Sequence, residues 1–288
     1  MTGTPSGNDD IAVVIANHDY GETLEEAVNS ALSQDGGPPR VIVVDDGSTD
    51  PHTLEVVDRL EARGDAHLRI VRQANTGAAG ARNAGMRLAD TAYLLALDAD
   101  DRLPADALTT MRAPLDADPA LGFAYGRMRF FGTWEGEMVM PGYDPYALLY
   151  RHTIGMTALM RREVFAATGG FDPEFRGYED WEHWLHALSA GWRGRRVDAV
   201  TLEYRRHGAT VNTAARKAYR HWYRRLRRKH AAVYARRREL ARESNLGAVG
   251  RLVHRVYWGP RPIPAAVEAR LYALVFRPAR RRRSDAAD

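Results

Sequence analysis

Three carboxylates stand close together directly after a run of apolar residues. Residues 93–97 read Tyr-Leu-Leu-Ala-Leu and are followed at once by Asp-Ala-Asp-Asp. The apolar run is typical of a strand buried on both faces, which places the carboxylates at the carboxyl edge of a sheet, where open α/β sheets bind ligands. Oxygen ligands of this kind suit a Mg²⁺ or Mn²⁺ ion that carries a diphosphate. The alternative is that Asp98 and Asp100 only cap a helix that begins near Pro104.

The composition describes a chain with a substantial core and no thiol chemistry. The chain has 288 residues, of which 45% are hydrophobic, and its mean hydropathy of -0.44 favours a soluble protein. It contains no cysteine, which excludes disulfides and thiolate metal sites and fits the cytosol. The polar first ten residues predict no signal peptide, and no run approaches the roughly 18 apolar residues that span a bilayer. We therefore expect a cytoplasmic protein, with peripheral contact at the inner face of the cell membrane left open.

The net charge of +4 is unevenly distributed along the chain. Most acidic residues precede Asp198, whereas the chain is dense in arginine from Arg205 onward and carries four arginines at 280–283. This pattern indicates an acidic catalytic part, residues 9–213, and a basic amphipathic helical extension, residues 214–288. The alternative is that the arginines form an ordinary solvated helical face.

The extension contains apolar residues at helical spacing. Those on one side of a long predicted helix are Tyr219, Trp222, Tyr223, Leu226, Val233 and Tyr234, and a second segment carries Leu246, Val249, Leu252, Val253 and Val256. A short apolar stretch follows at 265–276. Such helices pack on the catalytic part or on a second subunit in a homo-oligomer, or they lie on an anionic membrane. No nucleic-acid partner is expected.

Buried strands and single helices alternate through the first hundred residues. The predicted strands are 11–16, 41–44, 68–71 and 93–97, with helices at 24–32, at 53–63 and from 75 onward. This alternation predicts an α/β fold with a mostly parallel sheet and right-handed crossovers. The turn after the first strand reads Asn-His-Asp-Tyr-Gly and has no glycine-rich cradle, and a P-loop is also absent. A dehydrogenase and a nucleoside triphosphatase are therefore disfavoured.

The second half contains a further acidic pair at the start of a helix. Predicted elements are a helix at 104–115, strands at 122–126, 155–160 and 195–204, and a loop-like aromatic segment at 130–150. Glu179 and Asp180 open another helix, whose apolar stripe is Trp181, Trp184, Leu185 and Leu188. His183 and His186 lie off that stripe and are expected at the surface.

Taken in order, these motifs resemble glycosyltransferase family 2. The matching segments are Val-Val-Asp-Asp-Gly-Ser-Thr-Asp at 43–50, Asn-Thr-Gly to Ala-Arg-Asn at 75–83, Leu-Asp-Ala-Asp at 97–100, and Gly-Gly-Phe-Asp at 169–172 with the acidic pair that follows. The resemblance runs from residue 11 to residue 207. It implies a GT-A fold, with a central sheet flanked by helices, a nucleotide-binding half at 9–102 and an acceptor-binding half at 103–213.

The resemblance implies a site for the base of a nucleotide. One of Asp45 and Asp46 would accept a hydrogen bond from a ring N–H, and the backbone near Ala16 and Asn17 would flank the ring. A carboxylate prefers uracil or thymine here, because the N3 atom of cytosine carries no proton. The alternative for residues 46–48 is a plain turn and helix cap.

The same resemblance adds Gly77, Ala99 and Arg82 to the nucleotide-binding set, together with Asp98. Arg82 lies on the first turns of its helix and would face the diphosphate, helped by the helix N-terminus. A surface salt bridge is the alternative for this arginine.

The resemblance also implies the catalytic residues. Asp180 would be the general base, and Glu179 would support it or contact the acceptor. His207 would join Asp98 and Asp100 as a metal ligand, and its imidazole favours Mn²⁺ over Mg²⁺. The alternative for Glu179 and Asp180 is a pair of first-turn acids favoured by the helix dipole.

The expected function is a metal-dependent inverting glycosyltransferase. It would move a sugar from a UDP- or dTDP-sugar to a hydroxyl or amine of a saccharide, a lipid-linked glycan or a secondary metabolite, with cell-envelope polysaccharide synthesis as one setting. Two alternatives remain at this point. A nucleotidyltransferase would normally show a glycine-rich basic loop after the first strand, and a non-enzymatic membrane or nucleic-acid adaptor would leave the acidic sheet edge unexplained.

Overall fold

The computed structural model describes residues 7–207 and 218–260. The strands are β1 (Ile11–Asn17), β2 (Arg40–Asp46), β3 (Leu68–Gln73), β4 (Tyr93–Asp98), β5 (Leu121–Gly132), β6 (Gly136–Met138), β7 (Leu159–Arg161) and β8 (Arg193–Arg206). The helices of the catalytic part are α1 (Gly21–Leu32), α2 (Pro51–Ala62), α3 (Ala78–Leu88), α4 (Ala107–Ala117), α5 (Pro145–Leu148), α6 (Arg162–Thr168) and α7 (Glu179–Ser189).

Four more helices lie within residues 218–260, the described part of the basic extension. They are α8 (Tyr219–Lys229), α9 (Ala231–Ala235), α10 (Arg237–Glu243) and α11 (Ala248–Val253), and a π-helical turn at His254–Trp258 continues the last one. The predicted boundary at residue 213, the apolar stretch at 265–276 and the arginines at 280–283 lie outside the described residues. None of the helices within the described ranges is long and apolar enough to cross a membrane.

The strands form one sheet in the order β3-β2-β1-β4-β7-β5-β6, with β8 paired to β5. The first four strands are parallel, β7 is antiparallel to both of its neighbours, and β8 runs parallel to β5. The chain moves outward from β1 to β3 and then returns to β4 on the other side of β1. Ligands bind at such a reversal, in the crevice beyond the carboxyl ends of the strands. The predicted α/β fold with a mostly parallel sheet is confirmed.

The centre of the sheet is covered on both faces, so its strands β1, β2 and β4 are apolar over most of their length. Successive side chains of β1 point to opposite faces, and residues 11–15 are all fully buried. One face packs against α1, α2 and α4, and the other packs against α3, α7 and the helices of the extension. Burial on both faces is the reason that the strands read as continuous apolar runs.

Helix α3 approaches the sheet closely because Gly85 carries no side chain. A Cβ atom at this position would lie 2.4 Å from Val14 Cγ1 and 3.0 Å from Val44 Cγ2, on two neighbouring strands. Any larger residue would push the helix away from the sheet. This close contact sets the depth at which Arg82, one turn earlier on the same helix, reaches the carboxyl edge.

The described part of the extension packs on the catalytic part. Tyr219, Tyr223 and Leu226 of α8 are buried in the same core as α7, and Lys229 lies 2.6 Å from Asp172. The single long helix predicted from residue 219 to 234 is wrong, because the chain leaves helical geometry at His230, with φ -101° and ψ 34°.

Three local predictions in the second half need correction. The strand predicted at 155–160 covers only Leu159–Arg161, and the loop-like segment at 130–150 contains the end of β5, all of β6 and α5. The surface position predicted for His183 is wrong, since the ring is fully buried between Phe171 and Trp184. Burial lowers the pKa of His183 to about 4, which keeps the ring neutral in the core.

Candidate active site

The acidic turn after β4 brings three carboxylates together. One oxygen from each of Asp98, Asp100 and Asp101 lies within 4.8 Å of the other two. Asp101 is only 2% exposed, and burial together with the charges of the other two carboxylates raises its pKa well above the usual range. The cluster concentrates negative charge in a poorly solvated place, which favours a cation. Asp101 is not among the metal ligands predicted from the sequence, although its position directly after Asp100 was the available signal.

The end of β8 lies against this turn. Asp101 accepts a hydrogen bond of 2.8 Å from the backbone N–H of Arg205, and an antiparallel bridge joins Arg102 to Glu203. As a result, His207 lies beside the acidic turn, with its Nε2 atom 2.7 Å from Asp100 Oδ2. Two distant parts of the chain therefore meet at the position expected for a third metal ligand.

Arg82 connects the nucleotide half to the acceptor half. The side chain is 6% exposed, and its guanidinium pairs with Asp98 and, at 3.4 Å, with Glu179. Burial alone would lower the pKa of Arg82, but the two carboxylates raise it. Among residues 7–207 and 218–260, the Nε atom of Arg82 and the Oε2 atom of Glu179 have no hydrogen-bond partner. Arg82 is therefore not the surface salt bridge considered above, and it retains hydrogen-bonding capacity for a ligand.

Asp180 lies at the start of α7 and contacts a histidine. Its Oδ2 atom is 2.8 Å from His152 Nε2, and its Oδ1 atom accepts a hydrogen bond from the backbone N–H of Trp181. Burial alone would lower the pKa of His152, but the nearby negative charge of Asp180 raises it. Sequence reasoning missed His152 because no motif surrounds it.

The ends of β1 and β2 form the part of the site expected to hold a base. Asn17 Nδ2 donates to Asp45 Oδ1 at 2.8 Å, and both residues are buried. The other side-chain atom of Asn17, Oδ1, has no partner within the described parts of the chain. Ala16 lies opposite Asp98 in the β1–β4 register, and Ala99 is buried in the acidic turn. These residues therefore form one continuous edge with the carboxylate cluster.

Asp46 has a different set of contacts from Asp45. It accepts hydrogen bonds from the backbone N–H groups of Thr76 (2.9 Å) and Gly77 (2.8 Å) and from Gln73 Nε2 (2.7 Å). It therefore fixes the loop that begins α3. The helix cap considered for residues 46–48 falls instead on Asp50, which accepts from the backbone N–H of Thr53 at the start of α2.

Comparison with known proteins identifies the family. The family described as "Glycosyl transferase family 2" matches residues 12–178, more than half of the chain. The chain belongs to this family. Its members are glycosyltransferases, so the nucleotidyltransferase and the non-enzymatic adaptor are set aside.

Relatives and solved structures agree with this assignment. A PGL/p-HBAD biosynthesis glycosyltransferase of Mycobacterium tuberculosis is 27% identical over 214 residues, which cover 72% of this chain and 81% of that protein. An uncharacterized glycosyltransferase of Nostoc is 38% identical over 91 residues, but these are only 32% of this chain and 28% of that protein.

Two solved glycosyltransferases have the same fold. S. aureus TarS 1-349 in complex with UDP-GlcNAc aligns with a TM-score of 0.63 and 18% identity, over 84% of this chain and 69% of that one. The mannosyltransferase PcManGT from Pyrobaculum calidifontis, in complex with GDP-Man and Mn²⁺, aligns with a TM-score of 0.60 and 22% identity, over 93% and 81%. The fold is therefore GT-A.

Proposed function

We propose that this glycosyltransferase moves a sugar from a UDP- or dTDP-sugar to an acceptor by a metal-dependent, inverting single displacement. The observation that carries the proposal is the position of buried Arg82, which pairs with Asp98 of the acidic turn on one side and with Glu179, the neighbour of Asp180, on the other. This arrangement puts a candidate metal site and a candidate base at the same sheet edge. Structures of relatives with this fold contain UDP-GlcNAc in TarS and GDP-Man with Mn²⁺ in PcManGT, which supports a nucleotide-sugar donor.

The acidic turn fits a divalent cation. Asp98 and Asp100 would hold it together with His207, since carboxylate oxygens suit both Mg²⁺ and Mn²⁺ and the imidazole favours Mn²⁺. Asp101 is committed to the backbone N–H of Arg205 and lies beside these ligands. When bound, the ion stabilises the negative charge of the diphosphate leaving group.

The base of the nucleotide is assigned to the ends of β1 and β2. Asp45 and the unpartnered Oδ1 atom of Asn17 offer acceptors for the ring N–H of uracil or thymine. Asp46 supports this site from behind by holding Gly77 and the start of α3. Arg82 supplies donors toward the diphosphate through the same helix.

Asp180 is assigned as the general base. Its carboxylate takes the proton of the acceptor hydroxyl while the acceptor oxygen forms a bond to the anomeric carbon. The bond from that carbon to the diphosphate oxygen breaks, and its electron pair leaves with the nucleoside diphosphate. Because one displacement occurs and the protein supplies no nucleophile, the anomeric configuration inverts. Glu179 pairs with Arg82, and its assigned role is to support Asp180 or to contact the acceptor.

The acceptor is assigned to a hydroxyl or amine of a saccharide, a lipid-linked glycan or a secondary metabolite. The name of the mycobacterial relative, a PGL/p-HBAD biosynthesis glycosyltransferase, supports sugar transfer in a biosynthetic pathway. Peripheral contact with the inner face of the cell membrane is supported by α11 and the π-helical turn, which expose Val249, Leu252, Val253 and Val256. Their spacing of three and four residues places them on one helix face.

Calorimetric titration tests the donor half of the proposal. UDP and dTDP are titrated in the presence of Mn²⁺, Mg²⁺ or EDTA, with GDP and an adenine dinucleotide as comparisons. We expect metal-dependent binding of UDP or dTDP that is lost in Asp100→Ala and retained in Asp106→Ala, a matched control because Asp106 is an exposed aspartate on the same connection. Binding that is unchanged in EDTA or in Asp100→Ala would contradict the assignment.

A further inference from the structure

His152 contacts the carboxylate to which the proposed function gives the role of base. We propose that His152 is a positioning residue, which holds the Asp180 carboxylate in the orientation needed to take a proton from the acceptor; the inference rests on the proposed function. His152 Nε2 lies 2.8 Å from Asp180 Oδ2, and the aspartate is 14% exposed at its side chain. The other oxygen of the same carboxylate accepts the backbone N–H of Trp181 at 2.7 Å. The contact with His152 is a close ion pair, since Nε2 has no hydrogen bond of good geometry among the described residues. The carboxylate is thus contacted at one oxygen by the imidazole and at the other by the Trp181 N–H, and these two contacts restrain its plane.

The imidazole is itself held in place by aromatic rings of α7 and its N-terminus. It stacks on Trp181, with ring centroids 6.2 Å apart and planes at 22°, and it meets the edge of Tyr178 at the same distance. Trp181 is fully buried, so the surrounding core holds the ring on which the histidine packs. These ring contacts restrict the rotamers of His152, so less side-chain entropy is lost when Nε2 lies against Asp180.

The loop that carries His152 is fixed by three different helices. Side chains of Trp181 (α7), Tyr219 (α8) and Tyr234 (α9) donate hydrogen bonds to the successive carbonyls of Leu148–Tyr150. These buried carbonyls would otherwise be unsatisfied, so the loop is bound to all three helices. Two of the donors come from the basic extension. The helices after residue 218 therefore act on the acceptor side of the site through His152.

The charges around His152 explain why a histidine is suited to this place. Its charged neighbours are Asp180 and Glu179 on α7, and both are negative. An imidazole beside Asp180 can offer an N–H to the carboxylate and can also carry a positive charge. A glutamine could supply the donor without the charge, whereas an alanine supplies neither. Comparing these two substitutions separates the effect of orienting the Asp180 carboxylate from the effect of a positive charge beside it.

Kinetics and nucleotide binding on the full-length protein test the proposal. The reaction followed is metal-dependent hydrolysis of the UDP-sugar that the protein accepts in a donor screen, with water as the acceptor. We expect His152→Ala to lower kcat about tenfold because the base is misplaced, while the Kd for UDP stays within about twofold because Asp180 does not hold the nucleotide. His152→Gln should restore most of the lost kcat. His52→Ala is the matched control, since His52 is an exposed histidine on α2.

Titration of the histidine rings by nitrogen NMR supplies a readout that does not depend on turnover. The signal assigned by its loss in His152→Gln should titrate above the ordinary histidine range, and its pKa should fall in Asp180→Asn. Wild-type kcat in His152→Ala, or parallel losses of kcat, UDP affinity and thermal stability, would overturn the proposal. Wild-type turnover in Asp180→Asn would instead overturn the assignment of the base, whatever the histidine variants do.

Discussion

At the scale of single residues, Arg82 decides how the two halves of the site are related. Asp98 and Glu179 are both negative, and they lie on opposite sides of one buried guanidinium. Without that cation the largely buried Glu179 carboxylate, 16% exposed at its side chain, would lose its paired charge, which is destabilising. The planar group also has five donors, so it serves two carboxylates and still has its Nε atom available.

Arg82→Lys tests this geometry with the charge retained. An ammonium group is a point donor and reaches one carboxylate well, so the diphosphate loses a fixed donor. We expect metal-dependent UDP affinity to fall about tenfold, which corresponds to about 1.4 kcal/mol. Calorimetry measures it, and Arg87→Lys, an exposed arginine on the same helix, should bind UDP like the parent. Equal affinities for Arg82→Lys and the parent would show that the guanidinium is not needed for the nucleotide.

At the scale of elements, α11 and the turn that follows present an apolar face outward. The exposed fractions are 76% for Val249, 57% for Leu252, 40% for Val253 and 51% for Val256. The π-helical turn is held against the catalytic part, because the ring of Trp258 packs against the guanidinium of Arg151, the neighbour of His152. Between residues 218 and 260 the chain has twelve arginines and lysines against two glutamates. An apolar face on so basic a segment is complementary to an anionic lipid surface.

Vesicle flotation tests this face on the full chain. We expect binding to vesicles that contain phosphatidylglycerol and little binding to pure phosphatidylcholine. Leu252→Glu combined with Val256→Glu should weaken binding about tenfold or more, because apolar contact is lost and negative charge is added. Leu54→Glu, an exposed leucine of α2, serves as the control.

Three results would contradict a lipid-binding face. The first is no binding of the parent to either vesicle, and the second is equal binding of the double variant. The third is a parent dimer that the double variant dissociates, which would assign the face to a second copy of the chain.

At the scale of the whole molecule, a buried glutamate joins the extension to the catalytic part. Glu182 of α7 is fully buried, and its Oε1 atom lies 2.7 Å from Lys229 Nζ and 2.9 Å from His230 Nε2. Burial alone would raise the pKa of Glu182, but the hydrogen bonds from His230 and Lys229 lower it. The ionised form is therefore the one that stabilises the packed extension.

This lowered pKa predicts how stability depends on pH. Because the pKa in the folded state lies below the unfolded value, the contribution is complete above an ordinary glutamate pKa of about 4.3 and is lost as pH falls through the folded-state pKa. Glu182→Gln should lower the free energy of unfolding at pH 7 by about 2 kcal/mol, since a charged hydrogen-bond acceptor is removed. The variant should also lose less stability than the parent between neutral and acidic pH.

Urea denaturation at several pH values measures both effects. Glu163→Gln is the control, because Glu163 is an exposed glutamate at the start of α6, and its free energy of unfolding should stay within about 0.5 kcal/mol of the parent. Identical pH dependence for the parent and Glu182→Gln would show that the ion pairs to α8 and His230 contribute nothing to stability.

The sequence by itself determined the sheet and the sites at its edge. Continuous apolar runs at β1, β2 and β4 are forced by burial on both faces, and each run ends where polar residues begin, so a local pattern fixes both the strand and its functional end. Asp98 and Asp100 could be placed in the same way, because they follow β4 directly. Their use as metal ligands, like the roles of Asp180 and His207, stays a prediction.

Only the tertiary structure decided which distant residues meet. His152 contacts Asp180 from a loop without a motif, because donors from three helices fix its backbone. His183 is off the apolar stripe of α7 and yet is buried, since α7 is enclosed on several sides and not on one. An apolar stripe at helical spacing predicts one buried face of a helix. It does not show whether other elements pack on the remaining faces of that helix. Long-range packing, which local sequence does not encode, therefore selected the partner of the proposed base.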